Sequence, residues 1–523
     1  LRLYAEDYGV DMARVAGYVR KHKSDDRHPY VVYDPNKCVL CSRCVRTCAR
    51  VLTISALGLV GRGFRTEMRP AMNDPLVQTN CVSCGNCVDS CPTGALTVKY
   101  PFPGRACLAT DEVGTHCAFC SLGCEIRVKR FGDDRYYISS SGTPGQYLCR
   151  YGRFGYERFI KQRRIDAPSV RSGVSSQDTT FDDAYAKTIA GLRQTAQEHG
   201  PEAVAVFASP ELTNEELYLA GRIAREGLGT SNVASLTMVL NGNESGSVDQ
   251  ALGFTASTCD RAALREADLI VCNNTSMERD HLILSIEVIE AARKGAKLIV
   301  ANSTLDTADR HYAGVTLDPM RGRASVMWAG VIMVLLEEGV LDRTQVACLP
   351  GGYAFLKTLN YDLATVTELT GVDEERIRAA AAMIGGGKRI VFVHSPDRTL
   401  DQSPGDLETM ANLTVLLRQT GAGADLLLPQ MTANGAGLEV CGADVGFTAG
   451  RRAAADLPGA KSHAELRALL EAGKIRAALI IGEDPMRHNR TGAFFQNTEF
   501  IAAMDWAVTE TTQWANVTLP GNT

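Results

Sequence analysis

From about residue 160 onward, short apolar runs alternate with longer amphipathic stretches. Ala203-Val-Ala-Val-Phe207 reads as a strand and precedes a helical stretch from Asn214 to Glu226. Asp268-Leu-Ile-Val-Cys272 precedes a helical stretch from Leu282 to Lys294, and Lys297-Leu-Ile-Val-Ala301 follows as the next strand. Arg389-Ile-Val-Phe-Val393 leads into Asp406 to Thr420, and Ala478-Leu-Ile-Ile481 is the last strong run of this kind. Repeated strand-then-helix pairs are the mark of βαβ units on a parallel sheet. At least two doubly wound domains are therefore expected over residues 160–523.

The first third of the chain has a different texture. Residues 1–33 read as a helical lead-in with a polar stretch from Lys21 to His28. Between Ala49 and Asn80, Gly58, Gly61, Gly63, Pro70 and Pro75 predict a loop or hairpin insertion rather than a helix. Glu125-Ile-Arg-Val-Lys129 and Tyr136-Tyr-Ile138 predict strands of a small sheet-bearing domain. The longest apolar stretch, around Val326 to Leu336, is well short of a bilayer span and reads as a buried helix, with no direct membrane span expected. Leu1 to Val10 look like the middle of a helix, and Val517 to Thr523 stop in mid-strand or turn. A fragment of a longer chain is the expectation, which leaves a lost signal peptide open.

Composition narrows the class. A chain of 523 residues is too long for one core, so about three domains are expected. Hydrophobic content of 45% with 22% charged residues suits a soluble globular protein. The 55 basic and 60 acidic side chains give a formal −5, which offers no electrostatic footprint for nucleic acid.

Cysteine changes the picture most. Of 17 cysteines, twelve fall into three runs. Cys38-x2-Cys41-x2-Cys44-x3-Cys48 is the first, and Cys81-x2-Cys84-x2-Cys87-x3-Cys91, followed by Pro92, is the second. The third is Cys117-x2-Cys120-x3-Cys124, closed by Cys149. A tight C-x2-C-x2-C loop presents three thiolates from one turn, and in two-cluster ferredoxins the fourth cysteine of each run serves the other cluster. The expected ligand sets are Cys38, Cys41, Cys44 and Cys91 for one 4Fe-4S cluster, and Cys81, Cys84, Cys87 and Cys48 for a second. Cys117, Cys120, Cys124 and Cys149 would hold a third 4Fe-4S cluster. Zinc knuckles use paired cysteines, which the doubled x2-x2-x3 spacing does not match. Disulfide frameworks belong to small secreted domains, so thiolate ligands point to a reducing compartment, the cytoplasm.

Order and motif together carry a resemblance. A two-cluster ferredoxin module, then C-x2-C-x3-C…C, then repeated α/β, resembles the iron–sulfur large subunit of respiratory complex I. It is equally similar to the α subunit of NAD-dependent formate dehydrogenases, and both belong to the molybdopterin oxidoreductase superfamily. Besides the twelve cysteines, the resemblance rests on Leu148-Cys-Arg-Tyr-Gly-Arg-Phe-Gly155, Gly482-Glu-Asp-Pro485 and Thr509-Glu-Thr-Thr-Gln-Trp-Ala-Asn-Val-Thr-Leu-Pro520. It implies that Leu1-Arg-Leu-Tyr-Ala-Glu-Asp-Tyr-Gly9 directly follows a segment missing here, which would carry a 2Fe-2S cluster and a further 4Fe-4S cluster with a His/Cys3 motif. The implied fold class is α/β: an N-terminal two-cluster ferredoxin-like module, a small Fe–S domain, then doubly wound parallel-sheet domains of the molybdopterin oxidoreductase type. The implied boundaries are 1–33, 34–105, 106–159 and 160–523, the last cut short at its C-terminus.

In catalytic members of that superfamily a molybdenum or tungsten bis-pterin is bound through Cys, selenocysteine, Ser or Asp. Laid on the formate dehydrogenase pattern, Asn232-Val-Ala-Ser-Leu-Thr-Met-Val-Leu-Asn241 puts Leu240 at the metal ligand and Asn241 at the neighbouring His. The lysine that would bridge cluster to pterin is Tyr151, neutral at pH 7. Asn302-Ser303-Thr304 replaces an Asp-Pro-Arg nucleotide grip, and Arg321-Gly-Arg-Ala324 replaces a Pro-Gly-Thr-Asp-like turn. These four departures imply the fold without the Mo/W-pterin and without a catalytic residue.

Other candidates read as structural. Ser235 and Thr237 would close a turn, and His116 would neighbour Cys117 without binding. Cys107, Cys259, Cys272, Cys348 and Cys441 are scattered singly, with Cys272 a small buried hydrophobe. His281 and His311 lack ligand-spaced companions, and Gly351-Gly352 and Gly385-Gly386-Gly387 lack the strand-GxGxxG-helix setting of a dinucleotide site. Ser42, Arg43, Ser83 and Asn86 are either tuning residues or solvated loop positions. The resulting expectation is an electron-transfer subunit of an NAD(H)-linked complex, complex I-like or electron-bifurcating. Its partners would be an NADH/FMN-binding flavoprotein, a small 2Fe-2S subunit, and a further redox subunit or ferredoxin. The alternative is the catalytic Mo/W subunit of an NAD-dependent formate dehydrogenase.

Overall fold

The computed structural model describes residues 2–11, 14, 21–100, 109–132, 135–141, 146–173, 175–241, 252, 256–275, 277–301, 308–359, 361–395, 405–455, 457 and 459–521. They divide into two compact units, one of Leu1–Thr115 with Ile126–Phe154, the other of His116–Glu125 with Gly155–Thr523. Cys107 and Asn302-Ser303-Thr304 lie outside the described residues.

The first unit is built from short elements around its cysteines. Strand β1 (Val31–Tyr33) pairs antiparallel with β4 (Leu96–Val98), in the register Val31↔Val98 and Tyr33↔Leu96. Strands β2 (Leu57–Val60) and β3 (Glu67–Pro70) form the hairpin insertion expected between Ala49 and Asn80. A further sheet runs β5 (Asp111–His116), β6 (Glu125–Phe131) and β7 (Arg135–Ser140), with β6 and β7 antiparallel. The core of this unit is small: Leu52, Ile54, Met68, Leu96 and Leu148 are its most enclosed aliphatic side chains.

The second unit carries two sheets. Its edge hairpin is β8 (Ser169–Ser172) and β9 (Ser175–Asp178), followed by β10 (Val204–Ala208) and β11 (Val233–Ala234). Then come β12 (Leu269–Asn273), β13 (Lys297–Ala301), β14 (Val315–Leu317), β15 (Arg389–His394) and β16 (Gly423–Leu427). A small pair, β17 (Phe447–Thr448) and β18 (Arg452–Ala453), precedes β19 (Ala477–Ile481), β20 (Phe500–Asp505) and β21 (Val517–Pro520). The larger sheet has the order β11-β10-β19-β20-β21-β8-β9, parallel except for β8 and β9 at one edge. The five-stranded sheet, β14-β13-β12-β15-β16, is wholly parallel and is inserted between β11 and β19.

The apolar runs form central strands because both faces of each sheet are covered. Along β12, Leu269 and Val271 enter one core with Trp328 and Leu335, while Ile270 and Cys272 enter the opposite core with Leu284 and Val288. Along β10, Val204 and Val206 face one way and Ala205 and Phe207 the other. Alternation onto two apolar layers is what makes parallel strands read as continuous hydrophobic runs. Each fully buried Val, Leu or Ile contributes about 1.5–3 kcal/mol. The apolar stretch from Val326 to Leu336 lies within the buried helix Ala324–Glu337, and among the described residues no helix is long and apolar enough to cross a membrane.

The helical lead-in expected over residues 1–33 needs correction: among its described residues the α-helix is Arg2–Asp7, the polar stretch from Lys21 to His28 is not helical, and Val31–Tyr33 is strand β1, drawn out by its pairing with β4. Other differences are local. The helix from Asn214 ends at Arg222 and opens into a π turn, Ile223–Gly227. There Arg225 donates to the carbonyls of Asp444 and Phe447. Strands β12 and β15 each run one residue further than expected, to Asn273 and His394, whose polar side chains ended the apolar pattern. In both sheets strand order reverses beside the first strand, between β10 and β19 in one and between β12 and β15 in the other. Such switch points are where open α/β sheets bind ligands, outside the carboxyl ends of the strands.

Candidate metal centres

The two ferredoxin-like cysteine runs have the same backbone. Leu40 and Ser42 adopt φ of 54° and 62°, and the matching residues of the second run, Ser83 and Gly85, adopt 59° and 72°. The left-handed conformation costs a non-glycine residue about 1–2 kcal/mol. It turns the chain sharply between cysteines, so that three thiols leave one loop toward a common side. A short helix then follows each loop, Arg43–Arg46 after Ser42 and Asn86–Asp89 after Gly85.

The fourth cysteine of each run has thiols of the other run for neighbours. Burial pushes the Cys44 thiol up to about 11, and the Cys38, Cys91 and Cys41 thiols beside it add to the effect. Burial likewise pushes Cys81 up to about 11, with Cys84 and Cys48 as neighbours. Cys87 is raised well above its ordinary value by burial and then by Cys84, Cys81, Cys48 and Cys44. Cys91 thus lies with the first run and Cys48 with the second.

Backbone N–H groups are aimed at these sulfurs. Burial raises Cys48, against N–H groups from Ala56, Leu57 and Ser55. At Cys91 burial is outweighed by N–H groups of Leu96, Thr93 and Ala95 and by the Thr93 hydroxyl, and the thiol is lowered. Ser83 N donates to Cys81 Sγ at 3.4 Å. Neighbouring thiols oppose one another's ionisation, whereas a bound metal deprotonates a coordinating thiol outright. Four soft donors per set, with N–H groups on them, fit an iron–sulfide group. Among the described residues no three His, Cys, Asp or Glu side chains form a group suited to one metal ion.

The second run is bolted to the segment that carries Cys149. Asn86 Nδ2 donates to Leu148 O at 2.8 Å, and Leu148 N donates to Asn86 Oδ1 at 3.2 Å. Arg153 is fully buried and spends its guanidinium on the same loop: Nε donates to Cys84 O at 2.9 Å and Nη2 to Asn86 Oδ1 at 3.3 Å. Both terminal nitrogens also reach the Asp89 carboxylate, and Nη1 donates to the Tyr137 hydroxyl. Phe154 stacks on Tyr30 with centroids 4.5 Å apart.

In the third run, Cys117 N donates to Cys124 O, and Gly152 N donates to Cys149 Sγ at 3.4 Å. Cys117, Cys120 and Cys124 fall in the second unit and Cys149 in the first. His116 is exposed at the end of β5. Of the four polar loop residues, Ser83 and Asn86 are engaged as described, Ser42 Oγ donates only to Leu40 O, and Arg43 is exposed.

Residues 164–523 match the family described as molybdopterin oxidoreductase. The chain belongs to that family. Residues 28–97 match the ferredoxin-like domain of NADH-quinone oxidoreductase subunit 3. Among curated relatives, the NADPH-Fe(3+) oxidoreductase subunit alpha of Geobacter sulfurreducens is 28% identical over 81% of this chain and 49% of its own length. A Staphylococcus aureus protein named as a candidate formate dehydrogenase is 21% identical over 97% of this chain and 58% of its own. The chain thus spans about half the length of the curated relatives it matches. Acetylene hydratase from Pelobacter acetylenicus shares the fold, with TM-score 0.63 and 16% identity over 78% of this chain and 63% of that one.

Family membership raises the question of the pterin metal. Leu240 packs its side chain against the apolar cluster of Leu466, Leu470 and Phe207. Ser235 Oγ is committed to Glu483 at 2.7 Å, where Leu236 N also donates to the carboxylate. Burial of that carboxylate pushes it up to about 7, against the Ser235 and Leu236 hydrogen bonds. Thr237 is exposed. At Tyr151, the lysine position, the positive charge belongs to Arg150, which donates to the Tyr151 hydroxyl. Arg321-Gly-Arg-Ala324 forms a turn entering the helix Ala324–Glu337. Leu240, which the resemblance puts at the metal ligand, is thus an apolar side chain in an apolar setting, with no lone pair to offer a molybdenum or tungsten ion.

The switch point of the five-stranded sheet is more polar. Asn273 Nδ2 lies 3.0 Å from His394 Nδ1 and 3.1 Å from both Asp406 oxygens, and Trp328 Nε1 donates to Asn273 Oδ1. His394 is wholly buried and pushed down to about 3 by that burial. His394 Nε2 and Asn274 Nδ2 have no hydrogen-bond partner among the described residues. His281, buried and pushed down to about 4, shares that lack on both ring nitrogens. Cys272 is fully buried in an apolar layer, as a small hydrophobe would be.

Sequence reasoning missed the roles of His28, Tyr33 and Arg153. Burial pushes the His28 imidazole down to about 4, and its Nε2 faces Ser83 and Cys81. Burial and the Cys38 thiol raise the Tyr33 phenol. The contacts of His28 and Arg153 span tens of residues, so the only signal for His28 was a polar ring just before a strand leading into Cys38.

Proposed function

We propose that this chain is an iron–sulfur electron-relay subunit of a multi-subunit NAD(H)-linked oxidoreductase. It would pass electrons between a flavin-bearing NAD(H) subunit, with its small 2Fe-2S companion, and a further redox partner such as a ferredoxin-like protein. The observation that carries this reading is the crossed pair of thiol sets in one unit, Cys44 beside Cys38, Cys41 and Cys91, and Cys87 beside Cys81, Cys84 and Cys48. Bound 4Fe-4S clusters supply one-electron chemistry at such sets. This chain's own residues enclose Cys84 and point N–H donors at the ligands. The third set, Cys117, Cys120, Cys124 and Cys149, is assigned a third cluster by its spacing and by the resemblance.

Absence of a Mo/W-pterin is part of the same proposal, supported by the apolar packing of Leu240. A second reading, the catalytic Mo/W subunit of a formate dehydrogenase, is favoured by the unpartnered polar atoms of His394 and Asn274 at a switch point. Metal analysis with EPR of the dithionite-reduced protein separates the two. The relay reading expects about twelve irons for three cubanes of four and no molybdenum or tungsten. Stoichiometric molybdenum or tungsten, with a Mo(V) or W(V) signal, would sink it.

A further inference from the structure

We propose that His28, just before β1, is a ring donor toward Cys81, a positioning residue that raises the reduction potential of the cluster held by the Cys81 set. This rests on the reading of that set as a cluster site.

The His28 tautomer is fixed by its surroundings. Its Nδ1 lies 3.1 Å from Tyr30 N and 3.0 Å from Val31 N. Backbone N–H groups only donate, so Nδ1 accepts and the ring proton sits on Nε2. Nε2 in turn lies 3.1 Å from Ser83 Oγ and 4.0 Å from Cys81 Sγ. That proton is shared between a hydroxyl and a ligand sulfur. Only 3% of His28 is exposed, so water does not compete for it.

Pairing of β1 with β4, in the register Val31↔Val98 and Tyr33↔Leu96, fixes the backbone just after His28. The stack of Tyr30 on Phe154 clamps the turn between His28 and the strand.

Uptake of one electron adds negative charge to a cluster and its thiolates without a proton. A hydrogen bond to sulfur therefore stabilises the reduced form more than the oxidised one, and hydrogen bonds to sulfur are among the terms that set cluster potentials. The His28 proton is divided with Ser83, so His28→Asn should shift the one-electron equilibrium of the Cys81 set about threefold toward the oxidised form. Asn is chosen because its side-chain oxygen can still accept from the backbone N–H two residues on, as His28 Nδ1 does, while falling short of Ser83 and Cys81.

The test is a potentiometric EPR titration of the intact complex, with dithionite as the electron source, for the unaltered protein and the variants. Cys38→Ser and Cys81→Ser variants assign each signal to its set. His28→Asn is expected to lower the potential of the Cys81 set and leave that of the Cys38 set unmoved. Ser83→Ala keeps His28 and gives its proton wholly to sulfur, so it should raise the Cys81-set potential. Unmoved potentials in variants with full iron, or one variant shifting both sets alike, would overturn the assignment while leaving the relay reading intact. An unaltered protein without reducible clusters would overturn both.

Discussion

Cys38–Cys48 and Cys81–Cys91 repeat one device, with the same spacing, the same pair of left-handed residues and the same short helix after the second of them. Their settings differ. Around the first, Val39 is 52% and Leu40 38% exposed, and Arg43, Arg46 and Arg50 face solvent. Around the second, Cys84 is 7%, Asn86 3% and Arg153 0% exposed, and a guanidinium is wedged against the glycine that replaces Ser42. The spacing sets what a loop can bind, whereas the packing sets how rigidly and in what dielectric. One loop therefore reads as the open side of the pair and the other as the enclosed side.

Exchange of fourth ligands is the sharpest way to break the pairing. Cys91→Ser should remove the cluster of the first run, and Cys48→Ser that of the second, each leaving the other. Iron per chain should fall by about four in each case, with a different EPR signal lost. If each serine variant lost the cluster of its own run, the crossing would be wrong.

Next in size is Gly85→Ala against Ser42→Ala. A Cβ on Gly85 at φ 72° would overlap the Arg153 side chain and approach Phe154 Cζ to 3.0 Å. Strain of about 1–2 kcal/mol adds to displacement of a buried cation, so loss of the second cluster on purification is expected. Ser42 already holds φ 62° with a side chain, and its hydroxyl reaches only Leu40 O. Ser42→Ala should stay within about 0.5 kcal/mol. Equal iron retention in both variants would show that the loops are packed alike.

Arg153→Met addresses the bolt itself. Removing one partner of a buried pair costs about 3–5 kcal/mol, and the cost here should fall toward the lower end because Asp89 keeps partial access to water. Denaturant unfolding of the holoprotein measures it. A loss below about 1 kcal/mol would mean that Asn86 and Leu148 hold the Cys149 segment unaided.

The α/β unit offers a reference with a different pH response. His463 Nε2 donates to the buried Asp444 carboxylate at 2.8 Å. Burial alone would lower this histidine, but the Asp444 hydrogen bond and charge outweigh it and the imidazole is raised. A folded pKa above the unfolded one gives stability that is full below the ordinary value near 6.5 and is lost as pH rises through the folded pKa. The thermal midpoint of this unit should therefore fall on going from mildly acidic to mildly alkaline solution, and His463→Gln should flatten that part of the profile. A profile that rises over the same range would contradict the pairing.

How much of this was written in the chain depends on sequence distance. Strands such as Val204–Ala208 and Leu269–Asn273 were legible because burial on both faces demands unbroken apolar runs. The two matching cysteine loops were legible from their equal spacing, and they share one pair of left-handed positions. The hairpin between Cys48 and Cys81 was legible from its glycines and prolines. The contacts of His28 and Arg153 were not, since His28 and Cys81 stand 53 residues apart and Arg153 and Cys84 stand 69. Nothing local to a lone histidine says which sulfur it will meet. The polar ends of β12 and β15 were lost for a related reason: Asn273 and His394 belong to the switch point, where a strand trades apolar packing for a buried polar network.

The smallest effect compares the matching left-handed positions, Leu40 and Ser83. Both pay for φ above 50° with a side chain, so glycine at either site relieves about 1–2 kcal/mol while costing about 0.5–1 kcal/mol in unfolded-state entropy. At Leu40 little else is lost, because the side chain is 38% exposed, and Leu40→Gly should stabilise by about 0.5 kcal/mol. At Ser83 the hydroxyl bonded to His28 Nε2 also goes, worth about 1 kcal/mol, so Ser83→Gly should destabilise by a similar amount. Opposite shifts of the thermal midpoint would tie the difference between the loops to the His28 contact. Equal shifts would mean that the backbone alone decides both sites, and that the enclosed loop owes its rigidity to Arg153 and Asn86 without help from β1.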